Sequence, residues 1–102
     1  MAALWRVRDR ATFAALRRDG RRRRAAAVSV TSVPAVSGQP AVAFAIGRAV
    51  GGAVERNRLR RRMRAVLAEL DLAPGTYLVS AGPAATRLSP AELRAQLVEA
   101  TS

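Results

Sequence analysis

The run GGAVERNRLRRRMR at residues 51–64 places six arginines and one acid, Glu55, in a single short segment of helical character. A guanidinium is a permanent cation with five donors in a planar fork, so its chemistry is recognition of phosphate or carboxylate, not proton transfer. On a helix, residues four apart are neighbours, and Arg56–Arg60, Arg58–Arg62 and Arg60–Arg64 are then like-charged pairs that repel. A solvated helix normally interleaves both signs. A helix that does not points to compensation from outside the chain, by a polyanion.

Other reactive groups are scarce. The 102 residues contain no histidine and no cysteine, which excludes Cys/His zinc sites, disulfides and Ser-His-Asp or Cys-His nucleophilic machinery. Seven carboxylates, scattered in sequence, are a poor basis for a self-sufficient metal-dependent nuclease. The formal net charge is +11, and all 18 cations are arginine. That usage suits bidentate phosphate contacts; a coding bias toward Ala, Arg, Gly, Val and Pro would produce it equally. The charge is concentrated: residues 1–24 are net +7, residues 25–47 carry no cation, residues 48–64 are net +6, and residues 65–102 are net −2. Two basic blocks are the footprint of a nucleic-acid binder. The start, MAALWRVRDR, lacks a signal-peptide apolar run, and no stretch approaches the roughly 18 apolar residues of a membrane span. The expectation is a soluble, cytoplasmic chain with a single domain over residues 1–102 and no membrane partner.

The elements that must hold these groups follow from periodicity. Residues 9–19 predict a short helix with Asp9 as N-cap, Phe13 and Leu16 on one face and Gly20 as the stop. Arg21–Arg24 read as an edge strand or a loop. Residues 26–33 alternate as a strand, with Val28 and Val30 on one side and Ser29, Thr31 and Val33 on the other. PAVSGQP at 34–40 is a turn, and the apolar run 41–47 predicts a well-buried strand. After Gly51–Gly52 a helix is predicted over 53–70. Its Leu59, Met63, Val66, Leu67 and Leu70 lie within about 100° on a helical wheel, opposite Asn57, Arg58, Arg60, Arg61 and Arg64. Residues 76–82 predict a third long strand. Residues 89–100 predict a helix opened by the capping box Ser89-Pro90-Ala91-Glu92. This order makes an α+β domain.

The segment AFAIGRAVGGAVERNRLRRRMR, residues 43–64, resembles the signature of the bacterial ribonuclease P protein subunit: a strand, a basic glycine-containing turn (Gly47 to Gly51) and a helix bearing Arg56-Asn57-Arg58. RVRDRATFAALRRDG and GTYLVSAGPAATRLSPAEL resemble that family's first helix and its final strand and helix, so the likeness spans the chain. The resemblance implies an αβββαβα two-layer sandwich, ribosomal protein S5 domain 2-like, with a left-handed βαβ crossover through the arginine helix. It implies a non-catalytic protein subunit of an RNA-based endoribonuclease that removes the 5′ leader of precursor tRNA. The partners would be the catalytic RNA and precursor tRNA, with no obligatory protein partner. Magnesium would be held mainly by the RNA, with none bound by the protein alone.

By the same resemblance, Arg48, Arg56, Asn57, Arg58, Arg60, Arg61 and Arg64 contact the catalytic RNA, Asn57 orienting its neighbours, while Phe13, Arg17, Val28 and Val30 line a leader cleft between the first helix and the sheet. The chain departs from the family's pattern at that cleft. Arg17 stands where a second aromatic is usual, Val28 to Thr31 replace aromatics of the first long strand, and Ala49 and Gly52 replace a basic residue and an asparagine around the turn. Leader recognition here would rest more on arginine and less on stacking. The Arg21–Arg24 tetrad could bind RNA or shield a sheet edge from pairing. Two other classes share the basic helix: a structural RNA-binding protein such as a small ribosomal subunit protein, and a DNA-binding module. The strands around the helix do not suit a helix-turn-helix, and no dimer-forming heptad follows.

Overall fold

Pairing of alternating strands gives this protein one sheet with two unlike faces. The computed structural model describes residues 5–6 and 10–102. Its strands are β1 (Trp5–Arg6), β2 (Arg21–Ala25), β3 (Val28–Pro34), β4 (Ala41–Ala45) and β5 (Gly75–Ala81). Its helices are α1 (Arg10–Asp19), α2 (Ala53–Glu69) and α3 (Pro90–Thr101). The sheet order is β1-β4-β5-β3-β2. The β2–β3 and β3–β5 pairs are antiparallel, and β1–β4 and β4–β5 are parallel. The α+β sandwich expected from the sequence is present, with α2 forming the crossover between the parallel neighbours β4 and β5. The addition is β1, too short for periodicity to show. The expected N-cap Asp9 lies outside the described residues.

Register decides what each face holds. Val30 pairs with Val79 and Val28 with Ala81, while the intervening Ser29 and Thr31 pair with Ser80 and Leu78. Val28, Val30, Val42, Tyr77 and Val79 point into one core with Leu59, Met63 and Leu67 of α2 and Leu93, Leu97 and Ala100 of α3. The opposite face carries Ser29, Thr31, Val33, Thr76, Leu78, Ser80 and the alanines at 41, 43 and 45, and α1 packs over one end of it. The alanines correct the expectation of a buried strand over 41–47. Strand β4 ends at Ala45, Val42 is buried, and Ala45 is exposed on the face of which α1 covers only one end.

Local chemistry ends each element where the chain must turn. Gly20 stops α1: its N–H donates to the Leu16 carbonyl at 3.0 Å, and a Cβ there would sit 2.1 Å from that oxygen and 2.5 Å from Thr31 Cγ2. Strands β2 and β3 join through the two-residue turn Ala26–Ala27, with Ala26 at φ 48°. The expected strand start at 26 is therefore two residues early. A tight hairpin usually announces itself with glycine or asparagine, and here it is made of alanines. Tertiary bonds hold it: Ala27 N–H donates to Gln96 Oε1 at 2.9 Å, and Gly82 N–H to the Ala27 carbonyl at 2.9 Å. The capping box of α3 forms as the sequence indicates, Glu92 N–H to Ser89 Oγ at 3.1 Å and Ser89 N–H to Glu92 Oε1 at 2.9 Å.

Two predictions follow from these termini. An L-residue in the left-handed region costs about 1–2 kcal/mol, and glycine returns part of that gain as chain entropy. Ala26→Gly should therefore stabilise by about 0.5 kcal/mol, roughly 2–4 °C in Tm by thermal melting. The hydrogen bonds from Ser89 hold the Glu92 carboxyl below its ordinary range. The folded state thus favours the anion, so this contribution is present above the unfolded pKa and is lost as pH falls through the lowered one. Glu92→Gln, which keeps an uncharged acceptor, should show a shallower fall of Tm on acidification than the wild type.

Candidate nucleic-acid interface

The arginine helix is positioned by the turn before it and the core beneath it. After β4 a single 3-10 turn, Arg48–Val50, buries Val50 and leaves Arg48 exposed. Gly51 follows at φ 156°, where an added Cβ would lie 2.9 Å from Glu55 Cβ, so the break read from the two glycines has a steric basis. Helix α2 then anchors through Leu59, Met63 and Leu67, all essentially without solvent exposure, with Val66 and Leu70 packed at the margin. The predicted apolar stripe is the observed one.

The opposite stripe holds the expected cations. Asn57, Arg58, Arg61 and Arg64 are exposed, and Arg56 and Arg60 are half-buried. Asn57 Oδ1 accepts from Arg60 Nη1 at 2.6 Å, which fixes one fork of that guanidinium. Arg64 lies over the Phe44 ring, its central carbon 5.4 Å from the centroid, so a cation–π contact orients a side chain that still faces water. Val54, Asn57, Arg60, Arg61 and Arg64 line one open groove of about 520 Å³. Val54, an exposed apolar residue one turn before Asn57, was not singled out by sequence reasoning; its position in the same stripe is the signal that could have found it. Arg62 has a different role. Its Nη2 donates to the Leu88 carbonyl at 2.7 Å, tying α2 to the 3-10 turn Pro83–Arg87 that precedes α3.

Charge neutralisation is where this helix is unusual. Among the described residues the ion pairs are Arg18–Asp19 at 3.2 Å and Arg94–Glu69 at 2.7 Å, and neither involves an arginine of α2. The like charges of the outer stripe therefore have no carboxylate counterion among the described residues. No group of three or more acidic side chains that could hold a metal ion occurs among the described residues either.

The second expected site is only partly assembled. A cavity of about 280 Å³ lies between α1 and the sheet, lined by Ala11, Ala15, Leu16, Val33 and Thr76. Phe13 is half-buried on α1 and Arg17 is exposed in its last turn. Val28 and Val30 are corrected by the structure. They are 2 % and 1 % exposed and face α3, on the opposite side of the sheet from α1, so they cannot line a cleft there. Their alternates Ser29 and Thr31 share the face with α1. Two-residue periodicity separates the sets without saying which is inward.

Fold and site together define a small α+β domain with a stripe of exposed arginines along one helix. The comparisons with known proteins make the class specific. The family described as Ribonuclease P matches residues 1–102. A ribonuclease P protein component from a Nocardioides species is 41% identical over 103 residues, covering 95% of this chain and 88% of that protein. One from Acidothermus cellulolyticus is 40% identical over 97 residues, covering 90% and 81%. The solved RNase P protein from Thermotoga maritima superposes with a TM-score of 0.82 at 18% identity, covering 94% of each chain. That from Staphylococcus aureus gives 0.80 at 16%, covering 92% and 89%. The chain belongs to the ribonuclease P protein family, the protein component of the enzyme that processes tRNA.

Stability should separate the tethered arginine from the free ones. Arg62→Ala removes a partly buried charge-assisted hydrogen bond and should cost about 1–2 kcal/mol. Arg58→Ala and Arg61→Ala should stay within about 0.5 kcal/mol of the wild type. Urea denaturation of the three variants measures the difference.

Proposed function

We propose that this chain docks on the catalytic RNA of ribonuclease P through α2 and Arg48, and holds the 5′ leader of precursor tRNA against the α1 side of the sheet. The observation that carries the reading is the outer stripe of α2, whose arginines have no carboxylate counterion among the described residues. A guanidinium without an internal counterion retains its forks for phosphate oxygens. Here packing and hydrogen bonds constrain Arg60 and Arg64 before any ligand arrives. RNA bound at this stripe relieves the like-charge repulsion along the helix.

In this reading the chain breaks no bond. Cleavage of the leader is hydrolysis of one phosphodiester, and it needs a water activated and a leaving oxygen stabilised. The sequence offers neither histidine nor cysteine for this, and among the described carboxylates Glu69 pairs with Arg94 and Glu92 is spent in a cap. We assign that chemistry to the RNA and to magnesium held by it. The protein neutralises phosphates so that folded RNA and substrate approach at lower magnesium, and it favours precursor over mature tRNA by binding the leader. Phe13 and Arg17 remain the leader residues on α1. Among the described residues no helix is long and apolar enough to cross a membrane, and we place the activity in the cytoplasm.

The test is assembly with a ribonuclease P RNA as a function of salt. Each lost phosphate contact at 0.1 M salt should weaken binding roughly five- to tenfold and reduce the log–log salt slope by about one unit. Arg58→Ala and Arg61→Ala should each show both effects, and the wild type should stimulate precursor cleavage at low magnesium where an equally charged unrelated protein does not. Unchanged assembly and slope in both variants would place the RNA elsewhere.

A further inference from the structure

The arginine tetrad at the sheet edge is divided by strand geometry into two pairs with different surroundings. In β2, Arg21 pairs with Ser32, Arg22 with Thr31, Arg23 with Val30 and Arg24 with Ser29. Directly opposed residues of an antiparallel pair share a face. Arg21 and Arg23 therefore lie on the side of Val30 and α3, and Arg23 Nη1 donates to the Ser102 carbonyl at 2.8 Å, just past the end of α3. Arg22 and Arg24 lie on the other side, with Thr31 and Ser29, on the face that α1 only partly covers. Both are exposed and neither has an ion pair among the described residues. Among the described residues their hydrogen bonding is limited to a long contact, Arg24 Nε to the Ala26 carbonyl at 3.5 Å.

That face is a shelf of small and hydroxylated side chains. Running inward from Arg22 and Arg24, it presents Ser29 and Thr31, then Leu78 and Ser80, then Ala43 and Ala45. Strands β2 to β5 place no aromatic ring on it, so base stacking over this part of the sheet is not what it offers. It offers the half-buried hydroxyls of Thr31 and Ser80 for ribose or phosphate oxygens, Ser29 itself being buried, and cations along one rim. Arg17 and Arg18 of the last α1 turn are also exposed and precede β2 by only a few residues, and of these Arg18 pairs with Asp19.

We infer that Arg22 and Arg24 hold the phosphodiester backbone of single-stranded RNA at the rim of the α1-side face, while Arg21 and Arg23 serve the α3 side and do not touch it. Charge complementarity at a rim whose strands β2 to β5 carry no ring commits it to this occupant. The inference rests on the proposed leader-holding role and gives it a residue-level form: recognition by backbone charge from β2 beside Phe13 and Arg17 of α1.

A charge-matched comparison in the reconstituted holoenzyme tests it. Affinities for a precursor tRNA with a single-stranded leader and for the mature tRNA are measured for wild type, Arg22→Ala/Arg24→Ala, Arg21→Ala/Arg23→Ala and Arg22→Lys/Arg24→Lys. Each single-strand phosphate contact contributes a salt slope of about 0.7, so two lost contacts at 0.1 M salt amount to roughly a 25-fold loss. The expected result is that loss in precursor affinity, and little in mature, for the 22/24 alanine pair alone. The lysine pair should retain most of the affinity, and thermal melts should show all four proteins folded. Equal losses in both alanine pairs, or no loss in either, would overturn the inference while leaving the leader-holding role intact. A wild type that does not prefer precursor over mature tRNA would remove that role itself, and the inference with it.

Discussion

The arginine stripe of α2 exists because the other side of the same helix is buried. Five like-charged neighbour pairs on the helix, Arg56–Arg60, Arg58–Arg61, Arg58–Arg62, Arg60–Arg64 and Arg61–Arg64, cost a few tenths of a kcal/mol each, about 1–2.5 kcal/mol together. Burial of Leu59, Met63 and Leu67 contributes about 1.5–3 kcal/mol apiece. Packing exceeds repulsion severalfold, so the helix forms with its charges uncompensated and available. Remove that anchor and the interface loses both its geometry and its tolerance of crowded cations.

The sheet has the same division of labour. One face is closed by α2 and α3 over a core of valines and leucines, which leaves the other free to be small, polar and accessible. On that face β4 contributes only alanines, beside Leu78 and Ser80 of β5. A sheet of this kind can hold a ligand on one side without disturbing the packing that supports it. The cost is thin cover for the edge strand β2, where four consecutive arginines and the short hairpin also discourage pairing with another chain.

Arginine alone does not distinguish binding from fastening in this protein. Arg62 closes the Pro83–Arg87 turn, Arg23 meets the carbonyl at Ser102, and Arg94 pairs with Glu69 across α2 and α3. Arg58, Arg61 and Arg48 remain exposed and make no comparable contact among the described residues. A chain with no lysine must use the one cation for both purposes, and the difference lies wholly in what stands opposite each guanidinium.

The residues by themselves determined the elements with long or chemically explicit signals. The 3.6-residue stripe of Leu59, Met63 and Leu67 specified α2 and its outward face, Gly51 marked the break before it, and Ser89 with Glu92 specified the start of α3. The family likeness supplied the αβββαβα element order with a βαβ crossover through the arginine helix, and the position of α2 between the parallel strands β4 and β5 agrees with such a crossover. Tertiary structure decided the rest. Alternation in β3 divides Val28 and Val30 from Ser29 and Thr31, but only the helices packed on the sheet determine which set faces the core. The Ala26–Ala27 turn carries no local signal because its support comes from Gln96 and Gly82, far along the chain. A helical wheel gives Arg60 and Arg62 their angles and not their partners, Asn57 in one case and the Leu88 carbonyl in the other. Periodicity is a property of one segment, whereas the burial and pairing of a side chain belong to whatever the fold brings against it.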